Sequence, residues 1–209
     1  VLRNHSAVYH VDAVQAVGKL TIKPEELGID FLSASGHKFH GPKGVGFLYA
    51  STMDFDSYMH GGDQENKKRA GTENLPAIVG MVAALKEELS KQTENFQAVQ
   101  RLKDLILAKI SSLNYYINHG KEQLPYVLNL GFPGQKNDLL LLRMDLAGIS
   151  ISTGSACTAG IVQISHVLKA YYGNDSDRLH ESVRISLSPQ NTEEEIIQLV
   201  NTLKEIIGD

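Results

Sequence analysis

The sequence predicts an α/β fold, and three observations carry that prediction. Short apolar runs such as Val8 to Val11 and Gly44 to Ala50 are set between polar turns, a pattern of buried strands rather than half-solvated ones. Between Pro76 and Leu113 no further proline occurs and Gly80 is the only glycine, while apolar residues recur at helical spacing. Beyond that stretch, strand-like and helix-like segments alternate again.

Taken in order, Val8 to Val11 reads as a short buried strand. Lys23 to Leu27 reads as one helical turn stopped by Gly28. Ile29 to Ala34 and Gly44 to Ala50 are two further strands, separated by a loop from Ser35 to Lys43 rich in glycine and histidine. Pro76 opens a long helix, or two with a kink, whose apolar positions include Ile78, Val82, Leu85, Leu89, Val99, Leu102, Ile106 and Ile110. Glu87 to Gln97 is more polar, so a domain boundary is expected there. Tyr126 to Leu130 reads as a strand, and Asn137 to Ala147 as a helix closed by Gly148. Ile149 to Ser152 is read as a strand entering a loop of small residues, Thr153 to Gly160. Ser165 to Tyr172 is read as a helix and Val183 to Leu187 as a strand. Thr192 and Glu195 form a capping-box pattern ahead of a final helix with Ile196, Val200, Leu203 and Ile207 on its apolar face.

Composition bounds the function. The 209 residues are 42% hydrophobic and 21% charged, enough for a core in one or two domains. Lys+Arg number 20 against Asp+Glu 24, a net charge of −4 with no basic block, which argues against nucleic acid as a partner. No apolar run is long enough to span a bilayer, and the first residues lack the apolar segment of a signal peptide. A single cysteine excludes an internal disulfide and a cysteine-rich metal site. These features point to the cytoplasm. The chain begins at Val1 rather than methionine, which reads as a processed chain or a piece of a longer one.

Three features exceed what core packing requires. Ser35-Gly36-His37-Lys38-Phe39-His40-Gly41-Pro42-Lys43-Gly44 follows a strand and can hold an anion while presenting an amine. It misses a nucleotide-binding P-loop, because Pro42 stands at the lysine position. His37 and His40 alone are too few ligands for a metal, and the loop can equally be a solvated connection. Thr153-Gly154-Ser155-Ala156-Cys157-Thr158-Ala159-Gly160 places the cysteine among small residues, where it is either an inert apolar group or an accessible nucleophile. Asp12 ends the first strand, either as a cap for the segment from Val14 or as a buried partner for a positive charge.

The strings His10-Val11-Asp12-Ala13-Val14-Gln15, Ser35-Gly36-His37-Lys38, Gly41-Pro42-Lys43-Gly44, Arg69-Ala70-Gly71-Thr72-Glu73-Asn74, Ser155-Ala156-Cys157 and Val183-Arg184-Ile185-Ser186 occur in this order. Together they resemble the cysteine desulfurases of the NifS/IscS type, which are fold-type-I pyridoxal-phosphate enzymes. The resemblance implies that Lys38 forms the Schiff base with pyridoxal 5'-phosphate and that Asp12 pairs with the ring nitrogen. It further implies that Gln15 bonds the ring hydroxyl oxygen, that Ser35 and His37 bind the phosphate, and that Thr72 reaches the phosphate of a neighbouring subunit in a homodimer. Arg184 would hold the substrate carboxylate. Cys157 would take sulfur from L-cysteine as a persulfide, leaving L-alanine, with Gly154 and Gly160 as hinges of its loop. An acceptor such as an iron–sulfur scaffold would then receive the sulfur, as in iron–sulfur cluster assembly.

By the same resemblance the chain corresponds to the second half of a family member. Residues 1–94 would be the C-terminal part of the cofactor-binding large domain, with a mostly parallel sheet. Residues 95–209 would be a smaller α/β domain carrying the cysteine loop. No metal is implied. The alternatives are a selenocysteine lyase or related fold-type-I enzyme, and a non-catalytic piece that folds and binds partners without turnover. A lone second half is expected to bind the cofactor poorly and to self-associate through its exposed sheet edge.

Overall fold

In the computed structural model the described residues are 5–120, 122–154 and 164–208. The chain divides into two compact units, Val1–Thr93 and Glu94–Asp209.

The N-terminal unit holds three strands, β1 (His10–Asp12), β2 (Phe31–Ser35) and β3 (Gly46–Ala50), in the order β1-β2-β3. β1 and β2 are parallel, with Asp12 opposite Ser33. β3 returns antiparallel to β2, with Ser35 opposite Gly46. The parallel pair is joined by a crossover containing helix α1 (Pro24–Leu27), as parallel pairing requires. Pro24 sits in the first turn of α1, and Gly28, at φ 68°, closes it in the left-handed region. The core comprises Ala13, Val17, Ile29, Leu32, Ala34, Phe39 and Met81.

The first strand departs from its sequence reading. Only three residues pair, and they are not buried: His10 and Asp12 are exposed, and Val8 ahead of them is 70% exposed. β1 lies at the sheet's edge with a partner on one side only, so no described strand pairs with its other flank. In β2, Leu32 and Ala34 are buried while their neighbours are half-buried, so the strand alternates rather than running apolar throughout.

Helix α2 (Leu75–Lys109) is one continuous helix through the polar stretch, with Pro76 in its first turn. A 35-residue helix survives that stretch because its apolar flanks pack separately. Met81 joins the N-terminal core, whereas Val99, Leu102 and Ile106 join the C-terminal one.

The C-terminal unit is built on an antiparallel sheet of β4 (Tyr116–Ile117), β5 (Val127–Gly131) and β6 (Ser182–Ser186), in that order. Helices α3 (Asn137–Leu146), α4 (His166–Tyr172), α5 (Arg178–Glu181) and α6 (Glu193–Gly208) complete it. Leu128, Leu130, Val183 and Ile185 from one sheet face pack with Leu140, Met144, Val200 and Leu203. The capping box forms as the sequence indicates: Glu195 N–H donates to Thr192 Oγ1 at 3.2 Å, and Thr192 N–H to Glu195 Oε2 at 3.1 Å.

Ile149 to Ser152 is not a strand. Only Ser152 bridges to Arg184, through backbone hydrogen bonds of 3.0 and 2.6 Å. Gly154, at φ 64°, turns the chain soon afterwards. β4 and α5 were not anticipated, being two and four residues long and too short for periodicity to register. No helix among the described residues is long and apolar enough to cross a membrane.

Candidate functional site

Because β1 and β2 run parallel, their last residues, Asp12 and Ser35, stand at the same end of the sheet. The carboxyl end of parallel strands is where α/β folds place ligands. Asp12 is exposed rather than buried, and its Oδ1 accepts the Val14 N–H at 3.0 Å. It therefore caps a turn, since no helix follows through residues 14–20.

Ser35 leads into a 3₁₀ turn, Gly36–Phe39. Gly41 N–H donates to Gly36 O at 2.9 Å and closes that turn. A Cβ on Gly41 would meet the same oxygen at 2.9 Å, which is why glycine is needed there. Phe39, 2% exposed, anchors the turn in the core, and its neighbour Lys38 stays half-buried at the rim. The Ser35 hydroxyl lies 2.9 Å from His37 Nδ1. The two loop histidines part company, since His40 Nε2 lies 3.6 Å from Glu88 on α2.

A second lysine joins this rim. Lys19 Nζ donates to Gln15 Oε1 at 3.1 Å. Burial, then the Lys38 ammonium, hold Lys19 below the ordinary lysine range, while Glu88 opposes them. Lys19 thus feels the Lys38 ammonium, and a ligand that removes the charge at Lys38 relieves Lys19. Thr72 is exposed in the segment before α2. An amine, a carboxylate and a hydroxyl–imidazole pair on one rim can hold an aldehyde that carries a phosphate and a cationic ring nitrogen.

In the C-terminal unit, Arg184 sits midway along β6 between Val183 and Ile185, which face the core, so its own side chain leaves from the opposite face. Its Nε is buried with no hydrogen-bond partner among the described residues. Arg184 lines a cavity of ≈ 450 Å³ together with Asn118, Asn129, His166, Tyr171 and Tyr172. A buried, unpaired donor on a fixed cation calls for an anion. Cys157, with Ser155, Ala156 and Gly160, lies outside the described residues.

Among the seven sequence-predicted positions that the structure describes, Asp12, Gln15, Ser35, His37, Lys38 and Thr72 fall in the N-terminal unit and Arg184 in the C-terminal one. Sequence reading missed Lys19 and Asn129. The first had a signal, its four-residue spacing from Gln15. The second had none, because it becomes Arg184's neighbour only through the β5–β6 register.

The family profile described as aminotransferase class-V matches residues 1–199. The chain is 44% identical over 211 aligned residues to a putative cysteine desulfurase IscS 1 from Bacillus subtilis (strain 168), covering 99% of this chain and 56% of that protein. Among solved structures, a NifS-like protein superposes with a TM-score of 0.86 at 33% identity, covering 98% of this chain and 53% of that one. A structure of SspA in complex with cysteine superposes with a TM-score of 0.71 at 32% identity, covering 90% and 52%. The chain spans about half the length of the relatives it matches.

Proposed function

The chain belongs to the class-V aminotransferase family, and we propose that the whole protein is a pyridoxal-phosphate-dependent cysteine desulfurase. The observation that carries this reading is the convergence of Asp12, Ser35, His37 and Lys38 on the carboxyl end of β1 and β2. That donor set fits pyridoxal phosphate group by group. The substrate is inferred from the relatives, which are named cysteine desulfurases, one structural neighbour being titled as a complex with cysteine.

When bound, the cofactor supplies an electron-accepting ring. The Lys38 amine would hold its aldehyde carbon, and the Asp12 carboxylate would keep a proton on its ring nitrogen. Gln15 would bond its ring oxygen. His37, with Nδ1 against Ser35 Oγ, is left to present Nε2 to the phosphate beside that hydroxyl. Thr72 would complete the phosphate site of a partner subunit in a homodimer. Arg184 would orient the substrate carboxylate. The Cys157 thiolate would accept sulfur: the substrate C–S bond breaks and an S–S bond forms, so that cysteine plus thiol becomes alanine plus persulfide. We assign residues 1–94 to the cofactor domain and 95–209 to the small domain. An iron–sulfur scaffold as sulfur acceptor and a cytoplasmic setting complete the proposal.

The test is alanine and sulfide formation by the whole protein supplied with L-cysteine and a reducing thiol. Lys38→Ala should lose the cofactor's yellow colour and both products. Cys157→Ala should keep the colour and lose sulfide. Sulfide released at the wild-type rate by Cys157→Ala would overturn the reading.

A further inference from the structure

The sheet face that carries Arg184 also carries a chain of hydrogen bonds whose direction is set by its first member. Arg178 has only donors, and its Nη1 gives to Asn118 Oδ1 at 3.1 Å. That fixes the Asn118 amide, so Nδ2 points away and donates to Asn129 Oδ1 and to Ser182 Oγ, each at 2.8 Å. Ser182 Oγ in turn donates to the Arg178 carbonyl at 2.6 Å, so the loop of bonds closes on itself. Asn118 is 8% exposed, and such buried networks keep their orientation when every member is satisfied. The Arg178 guanidinium is held between two rings, 4.0 Å from the centroid of Tyr116 and 4.5 Å from that of Tyr172.

The consequence falls on Asn129. Its oxygen is taken by Asn118, which leaves the Nδ2 amide as its remaining group. Asn129 is the direct cross-strand partner of Arg184, and both line the same cavity. No Asp or Glu lines that cavity among the described residues. Two adjacent groups therefore offer donors alone, one of them cationic with an unmet Nε. A planar carboxylate has two oxygens to receive them.

We propose that Asn129 is a second donor to the substrate carboxylate beside Arg184, and that Asn118 and Arg178 are positioning residues that hold its amide donor-outward. The inference rests on the desulfurase reading for the identity of the substrate, not for the anion site itself.

The probe is propionate, which has the carboxylate but neither amine nor sulfur, titrated into the whole protein and followed by NMR. Wild type should bind it, with shifts of the Asn129 side-chain amide and Arg184 Nε–H resonances, and should not bind propionamide. Asn129→Asp keeps the size and the acceptor for Asn118 but removes the donor, so propionate affinity should fall about tenfold or more with the thermal midpoint little changed. Asn118→Asp cannot donate to Asn129, so the Asn129 amide should stop responding to propionate while Arg184 still responds. Unchanged propionate affinity in Asn129→Asp would overturn the proposal, as would equal binding of propionamide or no binding of propionate by wild type. Propionate binding without sulfur transfer from cysteine would refute the desulfurase reading and leave the carboxylate site standing.

Discussion

In the N-terminal unit the candidate site residues stand at the ends of strands. Asp12 and Ser35 are terminal residues, and Lys38 follows in a turn closed by a hydrogen bond between two glycines. In the C-terminal unit Arg184 sits within a strand, with core residues on either side and an asparagine across from it. The first arrangement depends on local backbone closure, the second on sheet register. Damage to the first should displace one amine and leave the fold. Damage to the second should cost the fold itself, except at the polar face, where substitutions change binding alone.

Truncation in the C-terminal core should cost most. Leu128→Ala removes a fully buried side chain beneath Arg184's sheet and should destabilise the C-terminal unit by about 2–5 kcal/mol in urea unfolding. Gly41→Ala forces a Cβ onto Gly36 O and should cost less, about 1–3 kcal/mol, while weakening cofactor retention through the displaced Lys38. If Gly41→Ala destabilised as much as Leu128→Ala with the cofactor retained, the contrast would break.

Smaller effects refine it. Thr192→Ala should cost about 1 kcal/mol by removing the cap of α6. The other half of that box titrates. Hydrogen bonds from Asn191 and the Thr192 N–H hold the Glu195 carboxyl below the ordinary glutamate range. The folded value is depressed, so the contribution is complete above the ordinary value and is lost as pH falls through the lowered one. Wild type and Glu195→Gln should therefore differ in unfolding midpoint near neutrality and converge in acid. The smallest effect is the Lys38 charge felt at Lys19: in Lys38→Met the Lys19 ammonium should titrate higher than in wild type, read by NMR. An unmoved Lys19 would show that Lys38 is not its neighbour in solution.

Sequence alone was enough for features that depend on local chemistry. The stop at Gly28 and the box at Thr192 and Glu195 are each written in a few adjacent residues, whereas the loop bearing Lys38 is marked by composition and its 3₁₀ turn is not. The burial of β1 was misjudged because an apolar run does not report whether a strand has neighbours on both sides. Ile149 to Ser152 reads as a strand by composition but meets β6 at one residue only. Asn129 stayed invisible because its role is created by pairing across β5 and β6, 55 positions apart from Arg184 in the chain.

In the proposed reaction Lys38 and Arg184 serve a sulfur transfer completed by Cys157. Mass spectrometry of the whole protein after one turnover with L-cysteine, without added thiol, tests it most directly. One alanine per active site and the mass of one added sulfur atom on the peptide containing Cys157 are expected. Alanine formed with that peptide unmodified, or sulfur found at the same level on Cys157→Ala, would contradict it.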